Sequence, residues 1–195
     1  IATPYIATGV RPKVAVLREQ GVNGQVEMAA AFDRAGFEAI DVHMTDLLQG
    51  RRSLEEFSTL VACGGFSYGD VVGAGGGWAK TILFNDALRA QLEAFFAEPD
   101  ELSIGVGNGF QILTERGLLP GALMRNSGLK FVCEKAPLTV ENANTQFTSR
   151  YEAGAQLLVP IAHHDGNYFA DDATLDRIEG EGQVVFRYGK NPNGS

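Results

Sequence analysis

Along the first 120 positions, short continuous apolar runs alternate with segments whose apolar residues recur every three to four places. Lys13-Val-Ala-Val-Leu17 has strand length, and Gly24 to Ala35 reads as a helix with Val26, Ala29, Ala30 and Phe32 on its apolar side and Gly36 as its stop. Phe37 to Val42 and Thr59 to Cys63 predict two more strands, with short helical material around Ser53 to Phe57 between them. From Trp78 to Phe96, Leu88, Leu92, Phe95 and Phe96 fall at i, i+4, i+7 and i+8, the stripe of a helix packed on a sheet. Leu102 to Val106 predicts a fourth strand, which runs into a glycine turn and the helix-forming run Phe110 to Arg116. Strands alternating with helices predict an α/β fold: an open, mainly parallel, doubly wound sheet with helices on both faces, of the flavodoxin-like kind.

Beyond Pro120 the pattern turns β-rich. Leu129 to Cys133, Ala136 to Glu141, Leu157 to Ala162 and Gln183 to Tyr188 predict strands, and Asp172 to Glu179 a helix, which together make a mixed or antiparallel C-terminal extension. Residues 1–12 carry two prolines and no periodicity and read as a linker leading in from a preceding segment. Residues 13–195 read as one domain. The final Asn191-Pro-Asn-Gly-Ser195 is turn chemistry that leads into another element, so the chain is expected to lack a C-terminal segment.

Composition narrows the function classes. At 195 residues and 45% hydrophobic content, one substantial core is affordable. A net charge of -8 repels a phosphate backbone, and no basic stripe offsets it, which argues against nucleic acid as a partner. No apolar run reaches membrane-spanning length and no signal-like start is present, so a cytoplasmic protein with no membrane partner is expected. The two cysteines, Cys63 and Cys133, sit inside apolar runs and read as reduced core thiols rather than a disulfide or a metal site.

In an open parallel sheet, ligands gather at the carboxyl ends of the strands, so the loops after Cys63 and Val106 are the places to look for chemistry. Gly65-Phe-Ser-Tyr-Gly69 matches the serine-hydrolase elbow in form, but more glycine-rich loop follows it where an elbow needs a helix. A ligand-embracing backbone loop is the favoured reading over a Ser67 nucleophile. Gly73-Ala-Gly-Gly-Gly77 fails as a dinucleotide fingerprint because Trp78 stands where its third glycine belongs. Gly105-Val-Gly-Asn-Gly109 has the right context, strand before and helix after. The apex of such a turn sits at a helix N-terminus, where the dipole stabilises a thiolate and the following N–H can donate to an oxyanion. That apex is Gly107, which has no side chain to attack anything. Of His163-His164-Asp165, one histidine is expected inward as a structural or ligand-contacting group, and a shared metal is disfavoured because neighbours on a strand point to opposite faces. His43 reads as a surface or loop residue.

Three segments carry a family resemblance. Val14-Ala-Val-Leu-Arg-Glu-Gln-Gly-Val-Asn23, Gly64-Gly-Phe-Ser-Tyr-Gly-Asp70 and Gly105-Val-Gly-Asn-Gly-Phe-Gln111 resemble the glutaminase portion of phosphoribosylformylglycinamidine synthases. The first half, with the Pro4 to Pro12 linker and Gly73 to Lys80, is similar to the glutaminase domain of the large fused form. Leu118 to Leu123, Arg125 to Cys133 and Pro160 to His163 with Gly166-Asn-Tyr168 look more like the separate small subunit.

The resemblance implies a class I glutamine amidotransferase fold, in which an elbow cysteine attacks the glutamine amide and the released ammonia passes to an ATP-dependent synthetase domain or subunit. It places Gly107 at the position of the missing nucleophilic cysteine. Gly64, Gly65 and Phe66 form the facing wall, Asn108 supplies the oxyanion N–H, and Gln111 and His163 complete the glutamine-binding set. ATP and magnesium belong to the synthetase partner, and neither a cofactor nor a metal is expected in this chain. The family's His-Pro-Glu partners follow the Asn-Pro-Asn-Gly-Ser motif. His164 and Asp165 depart from a His-Gly-Glu-Gly stretch, and Gly76 stands where the large form carries an acid. The expectation is a glutaminase domain that is catalytically silent as written. The alternatives are a non-catalytic docking module and, last, a serine hydrolase using Ser67.

Overall fold

The computed structural model describes residues 9–73, 75–115 and 117–194. Residues 1–8 of the expected linker, Arg116 at the end of the predicted elbow helix, and Ser195 lie outside them. Two compact units, Ile1–Leu118 and Leu119–Ser195, divide the stretch that the sequence pattern presents as one domain.

The first unit is built on four parallel strands, β1 (Lys13–Arg18), β2 (Glu38–His43), β3 (Thr59–Ala62) and β4 (Leu102–Gly105), in the order β2-β1-β3-β4. The two central strands, β1 and β3, are apolar on both sides because each side is covered. Ala15, Leu17, Leu60 and Ala62 pack with Trp78, Ile82 and Leu88, whereas Val14, Val16, Val61 and Cys63 pack with Met28, Ala29 and Phe32. Val14, Val16 and Val61 are completely buried, as expected of a parallel sheet. The chain leaves β1 for β2 on one side and returns to β3 and β4 on the other, so the carboxyl ends of β1 and β3 flank the point where the strand order reverses.

Helix α1 (Gln25–Arg34) turns Met28, Ala29 and Phe32 to the sheet; Val26 is 70% exposed and Ala30 is exposed, so the predicted apolar side is rotated. The packing of Met28 and of Phe32, edge-on to Phe37, sets that rotation. As predicted, the helix ends at Gly36, whose φ of +93° and N–H bond to the Asp33 carbonyl turn the chain toward β2. The stretch 78–96 is two helices, α3 (Gly76–Leu83) and α4 (Asp86–Ala97). Asn85 separates them by accepting the Leu88 N–H at 2.8 Å, a side-chain cap that starts a new helix. Leu88, Leu92 and Phe95 are buried as predicted.

A short helix α2 (Met44–Leu48), unseen in the spacing, follows β2. His43, expected as a surface or loop residue, caps it: Nδ1 accepts the Thr45 N–H at 3.1 Å, while Asp46 returns a bond to the His43 N–H. Ser53 caps a 3-10 turn at Leu54–Glu56. The elbow helix α5 spans Asn108–Glu115.

The second unit holds two antiparallel sheets. Strand β5 (Ala122–Met124) pairs with β8 (Asn167–Phe169), and β7 (Gln156–His163), β6 (Val132–Val140) and β9 (Phe186–Tyr188) form the order β7-β6-β9. β6 is one strand where two were predicted, because Glu134 and Lys135 interrupt the apolar run without interrupting the ladder. β9 begins at Phe186, three residues late. Helix α6 (Asp172–Gly180) is capped by Asp171, which accepts the Thr174 N–H at 2.7 Å. Cys133 is exposed, against the core expectation, because it lies with Ala162 on the outward face of β6 and β7. Cys63 is buried as expected, and burial pushes its thiol up to about 11.

Candidate active site

Three loops meet at the carboxyl ends of β1, β3 and β4, all within the first unit. Residues Gly21 to Asn23 run antiparallel to Gly64 to Phe66: the Asn23 N–H donates to the Gly64 carbonyl at 3.0 Å and the Phe66 N–H to the Gly21 carbonyl at 2.9 Å. The approach leaves no room for side chains, since a Cβ on Gly21 would sit 2.2 Å from the Phe66 carbonyl oxygen and one on Gly65 2.7 Å from the Asn23 nitrogen.

The third loop is the strand-to-helix elbow. The Val106 N–H bonds the Ala62 carbonyl at 3.0 Å, and the Gly109 N–H bonds the Val106 carbonyl at 2.9 Å, so the chain reverses within three residues. Gly105 and Gly109 are glycine for steric reasons. A Cβ at 109 would lie 1.9 Å from the Ala62 carbonyl oxygen, and one at 105 would lie 2.7 Å from Leu113 Cδ1. Gly107 differs. Its φ of +53° is the left-handed value an elbow apex takes, but a Cβ there would meet only the Gly64 Cα, at 3.4 Å. Space for a side chain therefore exists at Gly107, facing the Gly64 wall and next to the first turn of α5. In that turn the Gly109 N–H is taken by the Val106 carbonyl and the Gln111 N–H by the Gly107 carbonyl, and the turn carries the positive end of the helix dipole. This is a place for a partly negative oxygen.

Behind the apex, Asn108 is 3% exposed and Gln111 is 7% exposed, so their side chains belong to the wall's support. The Ser67 N–H donates to Asn108 Oδ1 at 2.6 Å; Asn108 Nδ2 donates to Gln111 Oε1 at 2.6 Å and to Asp70 Oδ1 at 3.3 Å. What Asn108 leaves for a ligand is its backbone N–H, the group the resemblance assigns. Phe66, 53% exposed, stands at the rim with Val106, 45% exposed.

A CobB/CobQ-like glutamine amidotransferase domain matches residues 11–195. The chain belongs to this family. It is similar, at 35% identity, to a chain in the structure of PurLQS from Thermotoga maritima, with a TM-score of 0.76 over 95% of this chain and 78% of that one. A glutamine amidotransferase from Thermotoga maritima shares the fold at 16% identity, with a TM-score of 0.58 over 94% of this chain and 70% of that one. These likenesses bear out the resemblance to the phosphoribosylformylglycinamidine synthase glutaminase carried by the loops after β1, β3 and β4.

Ser67 does not stand on an elbow. It opens a 3-10 turn, Ser67–Asp70, with no helix directly after it, and its hydroxyl is buried with no hydrogen-bond partner among the described residues. Two residues outside the sequence-derived set brace the same loop. Tyr68, whose phenol is pushed up by burial and by its bond to Glu19, contacts Thr81 Oγ1 at 3.1 Å. Glu19, 5% exposed at the end of β1, accepts the Gln20 N–H at 2.8 Å and lies 3.8 Å from His43 Nε2. Glu19 lies in the first quoted motif; its partners are far apart in sequence, which hid its role.

In the second unit, His163 and His164 do point to opposite faces. His164 is exposed against Phe131, while His163 is half-buried with Nδ1 2.9 Å from Asn126 Oδ1. The Asn126 amide nitrogen is occupied by the Lys130 and His163 carbonyls, so its oxygen accepts and His163 Nδ1 carries the proton. Burial and the neighbouring His164 hold the imidazole below its ordinary pKa, with Asp165 opposing. Among the described residues no group of three His, Cys, Asp or Glu side chains is placed to hold a metal, and no helix is long and apolar enough to cross a membrane.

Proposed function

We propose that this chain is the glutaminase-type domain of a phosphoribosylformylglycinamidine synthase and that it binds glutamine at the elbow without hydrolysing it. The carrying observation is the contrast within the turn: glycine is sterically required at 105 and 109 and not at 107, where there is space for a side chain and none is present. An oxygen of the glutamine carboxamide would accept the Asn108 N–H at the α5 N-terminus, with Gly64 to Phe66 opposite. Without a thiol at 107 no covalent bond to the amide carbon forms, and ammonia is not expelled. The partner is a synthetase domain or subunit that supplies ATP and magnesium chemistry, and the compartment is the cytoplasm. Docking on that synthetase without glutamine turnover is the companion reading, favoured by the same glycine at 107.

Ammonia release from glutamine and calorimetric titration with glutamine test the proposal together. Background release with saturable binding is expected; release well above background would overturn the silent-site reading, and absence of binding the glutamine reading. Co-purification with a synthetase partner should survive omission of glutamine, and its loss would remove the docking reading.

A further inference from the structure

The Gly64–Asp70 wall is held in an unfavourable backbone. Tyr68 and Asp70 both have φ of +54°, a conformation that non-glycine residues keep only where surrounding contacts over-determine it. The ring of Tyr68 packs where a side chain on Gly77 would lie, its hydroxyl reaches Thr81 on α3, and its carboxylate partner Glu19 stands at the end of β1. The Tyr68 N–H donates to the Gln20 carbonyl at 3.0 Å, and across the elbow one side chain adds a further hold. Asn108 takes the Ser67 N–H on its oxygen and offers its amide to Asp70 and Gln111, thereby gripping both ends of the strained turn from the first residue of α5. The first residue of the elbow helix thus uses its side chain to hold the opposite wall.

We propose that Asn108 is a positioning residue whose carboxamide locks the Gly64–Asp70 wall to the elbow, so that a glutamine side-chain amide meets both walls at once. The inference rests on the glutamine-binding reading for its ligand, but not for the lock itself. Asn108→Ala removes an acceptor and two donors. Asp70→Ala cuts one arm at a half-buried position, and Asp70→Asn keeps an acceptor for the Asn108 amide and suits a left-handed backbone.

Amide exchange of Ser67 to Asp70 and glutamine titration calorimetry are read on all three, beside Phe32→Leu, a destabilised control on the opposite face of the sheet. Exchange at Ser67 to Asp70 should accelerate at least about tenfold in Asn108→Ala and less in Asp70→Ala, with β1 and β3 amides unchanged. Glutamine affinity should fall at least about tenfold in Asn108→Ala, hold in Asp70→Asn, and hold in Phe32→Leu at comparable loss of melting temperature. Unchanged exchange in Asn108→Ala, or equal loss of affinity in the matched control, overturns the inference while leaving glutamine binding intact. If the unmodified chain does not bind glutamine, the parent reading fails and the exchange data alone decide the lock. Should Asn108→Ala not fold, the Asp70 pair decides: equal exchange in Asp70→Ala and Asp70→Asn overturns it.

Discussion

The two units bury their strands differently. In the first, neighbouring residues of β1 point to opposite faces and yet Val14, Ala15, Val16 and Leu17 are all 0–2% exposed. In the second, β7 alternates, with Leu158 64% exposed beside half-buried Leu157 and Val159. A sheet clamped from both sides cannot slide or tilt to relieve a clash, whereas a sheet with one free face can. The elbow and its facing wall grow from the clamped sheet, which suits loops that must hold backbone N–H groups at fixed positions.

That difference can be broken at four points. The largest effect is expected at Gly109→Ala, where the added carbon meets the Ala62 carbonyl inside the clamped sheet. A loss of about 3 kcal/mol or more is expected, against about 1 kcal/mol for Gly107→Ala, which meets only left-handed backbone strain. Urea denaturation separates them, and equal costs would mean that α5 can back away from β3. Next, Leu60→Ala, at a site 1% exposed, should cost about 2–5 kcal/mol, while Leu158→Ala should stay within about 0.5 kcal/mol.

Thiol labelling compares the units directly. At pH 8 Cys133, which is exposed, should react freely and Cys63 far more slowly, since it is 1% exposed and burial pushes its thiol up to about 11. Fast reaction of both in the folded protein would show that the clamped sheet opens. The smallest effect concerns His163. Its folded pKa lies below the ordinary value of 6.5, so the unfolded chain binds the extra proton first. The stability from a neutral His163 is therefore complete above about pH 6.5 and is lost as the pH falls from there toward the folded value. The urea midpoint should drop between pH 7 and pH 5 by more in the unmodified protein than in His163→Gln.

Much of the first unit was legible because an apolar run of strand length, repeated four times between helical spacings, has few other solutions. The errors lie where one side chain overrides a pattern. Asn85 divides what the spacing of Leu88 to Phe96 joins to Trp78, and His43 starts a helix of five residues too short to show a period. Glu134 and Lys135 read as an interruption, yet they point to opposite faces, both are exposed, and the main-chain ladder runs through them. The elbow itself was readable from strand, glycines and helix in succession. The support behind it was not, since the Ser67–Asn108 bond joins residues 41 positions apart.

The spacing of the three elbow glycines has a consequence for how such a domain can be lost and regained. The two outer glycines answer to packing and the middle one only to its left-handed φ, so a side chain at the apex costs backbone strain but meets no wall. What the apex carries is thus separable from the packing of the turn by a single codon. A turn with this architecture can lose or gain an apex side chain without unfolding, and can serve as a scaffold that presents a chosen group at one exposed address.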